Sequence, residues 1–246
     1  CMKILVCISK TPDTTTKYKF KEDQSGIQED GIQWIINPYD DHALASALQV
    51  KEKHGGSVTV IHVGEQSSDA VIRKALAIGA DDAIRINTEA KDPLYVASQI
   101  AAAIEGHDFD LIYTGRESID YNGNMVGDML AELLKLPSVA FAKNFEVEGK
   151  DITISRFIDG GTETVKTELP VVISAAKELA EPKIPNMRGI MQARTKPLKV
   201  VEPASIEQTT EYVTYEAPED KGDCEYIEAE DAEKLIEILH NKEKLF

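Results

Sequence analysis

The chain has only three cysteines, and their spacing matches no disulfide or metal-binding motif. Cys7 and Cys224 lie far apart, and Cys1 precedes Met2, the expected initiator. Isolated cysteines of this kind make neither a disulfide framework nor a zinc site. We therefore predict no metal site and a reducing, cytoplasmic location.

Long apolar runs are also missing. No run approaches the ~18 residues that suggest a membrane-spanning helix. The sequence at residues 2–6, MKILV, reads as a strand and lacks the long apolar region and cleavage site of a secretory signal. We expect neither a membrane span nor a signal peptide.

Positive charge is scarce, with 27 Lys and Arg against 43 Asp and Glu, a net charge of −16. An acidic chain of this kind is a poor nucleic-acid binder, so we predict no nucleic-acid partner. Residues 201–246 carry 14 acids and 4 lysines, whereas residues 183–199 carry 5 bases and no acid. That basic segment suits docking to a protein or to a nucleotide.

Recognisable catalytic motifs are absent. The sequence has no HExxH, no Ser-His-Asp arrangement and no nucleophilic cysteine near a histidine, and its five histidines are scattered. We expect His42 to be a solvated surface residue, and Asp40 and Asp41 to be first-turn acids favoured by a helix dipole. The chain is therefore predicted to bind a ligand without turning it over, and not to be an enzyme.

Strand and helix patterns alternate through the first half of the chain. The apolar strand patterns are Lys3–Ile8, Ser57–Val63, Asp82–Ile86 and Phe109–Thr114. One helical pattern lies in each crossover, and the first begins with Asn37 and Pro38. We predict an α/β fold with a doubly wound, mostly parallel sheet of Rossmann-like, adenine-nucleotide-binding type. In the usual strand order, 3-2-1-4, its ligand crevice lies between the first and fourth strands.

The pattern changes after Pro137. Three strand-like runs separated by glycine turns predict an antiparallel portion, and a further strand follows over Val171–Ser174. We place a nucleotide-binding domain at 1–180, a low-order, proline-rich arm at 181–228 and an amphipathic C-terminal helix at 229–246. The arm either wraps a partner or is a disordered tail.

The glycine-rich stretch at residues 115–127, GRESIDYNGNMVG, is called the nucleotide loop below. It follows the fourth strand and precedes a helix predicted to begin at Asn124. Free N–H groups and a positive helix dipole make such a junction an anion site. It is neither a P-loop nor a GxGxxG fingerprint, so a plain strand-to-helix loop stays an alternative.

Over essentially its full length the chain resembles the β subunits of the electron transfer flavoprotein family. The resembling stretches, in order, are residues 2–8, 36–40, 74–81, 115–120, 159–163, 181–182 and 189–193. The resemblance implies an electron-carrier subunit that pairs with an α subunit, and the α subunit holds the redox-active FAD. It further implies acyl-CoA or related dehydrogenases and a quinone oxidoreductase as partners.

The nucleotide in this subunit is implied by the resemblance to be AMP, or a second FAD in the electron-bifurcating members. The predicted nucleotide-binding residues are Cys7, Asn37, Pro38, Tyr39, Asp40, Val63, Gly115, Asp120, Tyr121, Asn122, Gly123, Asn124, Met125, Val126 and Gly127. The sequence of residues 123–127 favours AMP, whereas Arg188-Gly189 resembles the bifurcating group.

The resemblance also assigns residues to partners. Tyr39 matches the aromatic beside the α-subunit flavin, whereas Thr14 stands where some relatives carry a second aromatic. Glu163 matches an acid that pairs with an α-subunit arginine. Residues 183–194, called the docking segment below, match the recognition loop for dehydrogenases. Met187 and Arg188 are its predicted docking residues, and a Met187 packed on its own subunit is the alternative.

Two other kinds of protein remain open from the sequence alone. A stand-alone adenine-nucleotide sensor of the universal-stress type shares the predicted core but needs neither the arm nor the last helix. An ATP-pyrophosphatase-like enzyme needs an SGGxDS-type loop after the first strand, and residues 9–13 are SKTPD instead.

Overall fold

A computed structural model describes residues 1–246. The strands are β1 Met2–Cys7, β2 Lys10–Pro12, β3 Trp34–Ile36, β4 Gly56–Val63, β5 Asp82–Ile86, β6 Leu111–Gly115, β7 Ser138–Glu148, β8 Asp151–Ile158, β9 Gly161–Glu168, β10 Val171–Ala175 and β11 Leu198–Val201. The helices are α1 Pro38–His54, α2 Asp69–Ile78, α3 Pro93–Ala103, α4 Val126–Leu134, α5 Met187–Ala193 and α6 Ala232–Glu237. Judged by length and hydropathy, none of these helices qualifies as a membrane span.

Nine strands form one sheet in the order β11-β5-β4-β1-β6-β10-β7-β8-β9. The first four predicted strands are β1, β4, β5 and β6, so the predicted order 3-2-1-4 is confirmed. From β11 to β7 all neighbours are parallel, and β7, β8 and β9 are antiparallel. The predicted fold class, a mostly parallel sheet with an antiparallel portion, is therefore confirmed.

Two apolar layers cover the two faces of the sheet. In β1, Ile4 and Val6 belong to the layer that includes α1 and α2, whereas Leu5 and Cys7 belong to the layer that includes α3 and α4. Because successive side chains of a strand point to opposite faces, this alternation puts a core on each side of β1. Because both faces of β1 are buried, its sequence is almost continuously apolar.

Helix α4 begins later than the sequence indicated. Its first residue is Val126 rather than Asn124, and Met125 stands at its N-cap without a side-chain hydrogen bond. Turn chemistry in the nucleotide loop extends two residues further than the periodic pattern suggested. The last two residues of the nucleotide loop, Val126 and Gly127, therefore belong to the first turn of α4.

The arm, residues 181–228, has more regular structure than predicted. It contains helix α5 and strand β11, and β11 pairs in parallel with β5 at the edge of the sheet. Gln99 of α3 exchanges two hydrogen bonds with the backbone of Ala204, and Asp92 accepts hydrogen bonds from Thr209 and Thr210. Residues 187–210 thus bind their own subunit, and the expectation of a low-order segment there is wrong.

The chain divides into two compact units, residues 1–19 with 28–213 and residues 20–27 with 214–246. Within the second unit, Phe20 and Ile27 form an antiparallel bridge, and the amide of Tyr215 donates to the carbonyl of Gln24 over 3.0 Å. The C-terminal helix predicted at 229–246 consists of a 3-10 turn, α6 and a π-helical turn that ends at Lys242.

Candidate functional site

Three predicted site residues lie at the carboxyl ends of adjacent strands. Cys7 ends β1, Val63 ends β4, and Gly115 ends β6. The sheet order is β4-β1-β6, so the winding direction reverses between β1 and β6. Open α/β sheets bind ligands beyond the carboxyl ends of the strands at such a reversal. The structure therefore brings these residues together at the expected edge.

The carboxylate of Asp40 joins three separate segments at this edge. One oxygen accepts hydrogen bonds from the amide and the hydroxyl of Ser9, both over 2.7 Å. The other accepts from the side-chain amide of Asn37 and from the amide of Gly115, both over 3.0 Å. Asp40 is buried, so this carboxylate binds the loop after β1 and the end of β6 to the start of α1.

Asn37 performs a second bridging role beside Asp40. Its side-chain amide also donates to the carbonyl of Glu117 over 2.8 Å, and its oxygen accepts from the amide of Ile119 over 3.2 Å. Asn37 stands at the N-cap of α1, as predicted, but makes no side-chain cap bond to that helix. Its amide instead fixes the first half of the nucleotide loop.

This buried polar network shifts the pKa of its neighbours. Burial raises the pKa of Asp40 to about 7, although the hydrogen bonds from Ser9 and Asn37 act in the opposite direction. Burial also raises the pKa of the Cys7 thiol, and the charge of Asp40 adds to that effect. Cys7 is therefore a neutral thiol and does not suit nucleophilic chemistry.

The nucleotide loop folds back on itself between Ser118 and Gly123. Their backbones form a bridge in which the amide of Ser118 donates to the carbonyl of Gly123 over 2.9 Å, and the Ser118 hydroxyl donates to Asp120. Asn122 takes the left-handed conformation, with φ of 55°, which asparagine tolerates better than most residues. Tyr121 is left about half exposed at the tip.

The start of α4 has features that suit a phosphate. The first N–H groups of any helix lack a partner within the helix, and at α4 no side chain caps them. The helix dipole adds positive potential at the same place. Met125 and Asn124, just before the helix, are exposed, and Val126 and Gly127 are half-buried. This part of the loop can hold an anionic group of a nucleotide through backbone donors.

Two glycines of the loop are explained by contacts within the chain. A Cβ atom at Gly115 would lie 2.2 Å from a carboxylate oxygen of Asp40. A Cβ atom at Gly127 would lie 2.7 Å from the hydroxyl of Thr114, so α4 approaches β6 closely there. Both positions exclude larger side chains before any ligand is considered.

Arg116 was not predicted from the sequence, yet it occupies the same edge. Its guanidinium lies 5.8 Å from the ring centroid of Tyr39 and 5.1 Å from that of Phe141, within cation–π range. Phe141 has φ of 60°, an uncommon conformation for an aromatic residue, and its amide donates to the hydroxyl of Ser174. The half-buried Tyr39 ring is thus held beside a cation.

Two histidines are buried, although the sequence predicted a solvated His42 and no role for His62. His42 is not a solvated surface residue, because it is buried and its Nδ1 lies 2.7 Å from the carbonyl oxygen of Ala180. His62 in β4 is also buried, and its Nδ1 lies 2.8 Å from the carbonyl oxygen of Ile8. Both partners are distant in sequence, so no local pattern announces them. The same holds for Ser9, whose role needs the fold.

The remaining predicted residues lie elsewhere. Glu163 in β9 is half exposed and forms an ion pair with Arg156 over 3.4 Å at the antiparallel side of the sheet. Met187 and Arg188 begin α5, and Met187 is 75% exposed. These residues do not join the cluster at the ends of β1 and β6. They form two separate surfaces.

A cavity of about 410 Å³ lies at the opposite end of the sheet. Its lining includes Met2, Asp110 and Pro170, which lie at or just before the amino ends of β1, β6 and β10. Ligands of open α/β sheets bind at the other end of the strands. We therefore assign this cavity no part in the candidate site.

Comparison with known proteins gives a consistent result. A sequence profile described as "Electron transfer flavoprotein domain" matches residues 25–206. A protein of Bacillus subtilis named "Electron transfer flavoprotein subunit beta" is 38% identical over 205 residues, which cover 82% of this chain and 79% of that protein.

Two further relatives carry the same name. The protein of Syntrophomonas wolfei is 35% identical over 249 residues, covering 99% of this chain and 98% of the relative. The human protein is 33% identical over 211 residues, covering 83% of each chain. The match to the Syntrophomonas wolfei protein covers nearly the whole chain, so it includes the candidate site, the docking segment and the acidic C-terminal part.

Proposed function

Since this chain belongs to the electron transfer flavoprotein family, as one of its β subunits, we propose that it carries electrons from acyl-CoA or related dehydrogenases to a quinone oxidoreductase. It does so in a heterodimer with an α subunit, which holds the redox-active FAD. The β subunit has no substrate turnover of its own, and the complex works in the cytoplasm.

The polar network at the carboxyl ends of β1 and β6 is the observation that supports a bound nucleotide. Asp40 and Asn37 fix the loop after β1 and the nucleotide loop to the start of α1, and the nucleotide loop leads into the uncapped start of α4. A site whose loops are fixed beforehand loses little entropy when a ligand binds. In this proposal the buried Cys7, Asn37, Asp40 and Val63 form the floor, and residues 121–127 hold the phosphate.

AMP is the nucleotide that we propose for this subunit. The sequence of residues 123–127 favours AMP, whereas Arg188-Gly189 resembles the group whose β subunit holds a second FAD. A Cβ atom at Gly189 would lie 2.3 Å from the carbonyl oxygen of Ala77, so helix packing explains this glycine without a cofactor. AMP would act as a structural brace, because a ligand that binds only the folded state stabilises it.

Nucleotide analysis of the α/β heterodimer tests this assignment. The complex is denatured, and the released nucleotides are separated and identified by mass, while the absorbance spectrum gives the flavin content. We expect one FAD and one AMP per heterodimer. Two FAD molecules per heterodimer would identify the bifurcating type, and the absence of a second nucleotide would remove the site proposed here.

Three parts of the chain are proposed to contact other proteins. Tyr39, with Arg116 beside its ring, is proposed to lie next to the α-subunit flavin, and Glu163 is proposed to pair with an α-subunit arginine. The docking segment presents Met187 and Arg188 to a dehydrogenase. Met187 is exposed rather than packed on its own subunit, which favours the docking role.

A further inference from the structure

Helix α5 of the docking segment rests directly on the backbone of α2. It has seven residues, whereas isolated helices shorter than ~12 residues are marginal in water. Gly189 faces α2 so closely that a Cβ atom would meet the carbonyl oxygen of Ala77, and Ala193 is buried in the core. Tertiary contacts with α2 therefore hold this helix.

Two cations link α2 to the C-terminal end of α5 and the residues after it. Arg73 of α2 donates to the carbonyls of Ala193 and Lys196, over 2.8 and 2.7 Å, at the end of α5. Lys196 donates to the carbonyls of Leu76 and Ala80, over 2.9 and 2.6 Å, at the end of α2. The carbonyls of Ala193 and Leu76 lie in the last turns of their helices, where carbonyls carry partial negative charge and a nearby cation is favourable. We call this arrangement the reciprocal clamp.

The other side of α5 is apolar and uncovered. Met187 is 75% exposed and Met191 is 67% exposed, and Ile184, just before the helix, is 92% exposed. Asn186 caps the helix through a 2.8 Å hydrogen bond from the amide of Gly189. The clamp, the cap and the glycine contact together fix the direction in which these side chains point.

We propose that Arg73 and Lys196 are positioning residues for the docking of a dehydrogenase. This inference rests on the proposed function, because it takes the face with Met187 as the surface that the dehydrogenase contacts. The clamp orders α5 before the partner arrives, so docking does not have to supply that ordering. Neither residue needs to touch the partner.

The test uses the α/β heterodimer with a purified acyl-CoA dehydrogenase that its acyl-CoA substrate has reduced. Flavin reduction is measured against dehydrogenase concentration for Arg73→Gln, Lys196→Gln and Met187→Ala. Lys150→Gln is the matched control, because it removes one exposed positive charge from the turn between β7 and β8, outside the basic segment. We expect KM to rise about tenfold in the first three, with kcat and the control within about twofold of the original.

A double variant separates positioning from an independent effect. If the clamp acts through Met187, adding Arg73→Gln to Met187→Ala should raise KM by less than the product of the two single effects. Arg73→Lys, which retains a positive charge and an N–H donor, should recover part of the affinity. Fully multiplicative losses would overturn the inference.

Hydrogen exchange gives a readout that does not depend on a partner. In Arg73→Gln the amides of residues 187–193 should exchange faster, while those of β1 and β4 keep their protection. If Arg73→Gln leaves exchange in α5 unchanged, the positioning role of the clamp is overturned. The same holds if Arg73→Gln leaves KM unchanged while Met187→Ala raises it, and in that case the docking surface itself stands. An unchanged KM in Met187→Ala would instead remove the docking surface itself.

Discussion

At the scale of single residues, the decisive contacts are buried polar ones. From the sequence, Asp40 is a typical first-turn acid, and that interpretation accounts for its place on α1. The structure adds donors from Ser9, Asn37 and Gly115, which come from three parts of the chain. A local pattern cannot indicate such a meeting, because each partner is common in the loop or helix start where it occurs.

Asp40→Asn is expected to destabilise the chain. The substitution replaces an accepting oxygen with an amide group that would face existing N–H donors, at a cost of roughly 2–4 kcal/mol. Urea denaturation of the chain measures this cost. Asp41→Asn is the neighbouring control, because one Asp41 oxygen is buried without a hydrogen-bond partner and burial raises the pKa of that carboxyl to about 6. Equal losses in the two variants would contradict a special role for Asp40.

His62 makes stability depend on pH. Burial lowers its pKa from 6.5 to about 4, so the unfolded chain binds a proton more readily than the folded chain. The stabilisation is complete above about pH 6.5 and is lost as the pH falls toward 4, by at most roughly 3 kcal/mol. In urea denaturation at successive pH values, His62→Gln should reduce this dependence and the exposed control His107→Gln should not. Parallel pH curves for the original chain and His62→Gln would refute the assignment.

At the scale of elements, strongly periodic segments could be predicted and short ones could not. The four early strands follow from their apolar runs, and their order is the usual one for a fold in which strands and helices alternate. The two later hairpins follow from strand-like runs separated by glycine turns. Helix α5 escaped because seven residues give too few turns for a pattern, and β11 has four residues whose partner, β5, lies far away in sequence. Their structure depends on α2 and β5 rather than on local preference.

Gly127 allows two explanations to be compared at the junction of β6 and α4. A methyl group at this position presses on the hydroxyl of Thr114, so Gly127→Ala should lower stability and nucleotide content together. Adding Thr114→Ala removes the obstacle, and Thr114→Ala alone is the control. Mass analysis of released nucleotide and thermal unfolding measure both quantities.

If packing alone requires this glycine, the double variant should recover both stability and nucleotide. Recovered stability with a persistently low nucleotide content would show instead that the nucleotide needs close approach to the backbone at this position. Unchanged stability together with full nucleotide occupancy in Gly127→Ala would contradict both explanations.

At the scale of the whole molecule, the C-terminal part combines negative charge with exposed apolar side chains. Residues 201–246 carry most of the net negative charge, and α6 exposes Leu235 and Ile236. Exposed apolar side chains that lie close together are typical of a surface that another chain covers, so we expect a partner here. The sequence predicted this segment by composition, whereas the division of the chain at Val213 emerged only from contacts.

The isolated chain is expected to bind no FAD tightly and to form a yellow complex when produced with its α subunit. The physical reason is that the proposed site for the redox flavin belongs mainly to the α subunit, and the β subunit contributes its neighbours, such as Tyr39. Co-purification with a tagged α subunit and the absorbance spectrum measure both properties.

A chain ending at Val213 should retain its secondary structure by circular dichroism and lose co-purification with the α subunit. The full-length double variant Leu235→Ser and Ile236→Ser, which keeps the acidic charge, should weaken co-purification without abolishing it, because it removes apolar contact alone. A yellow, FAD-replete isolated chain, or a shortened chain that still binds the α subunit fully, would show that the C-terminal part serves another purpose.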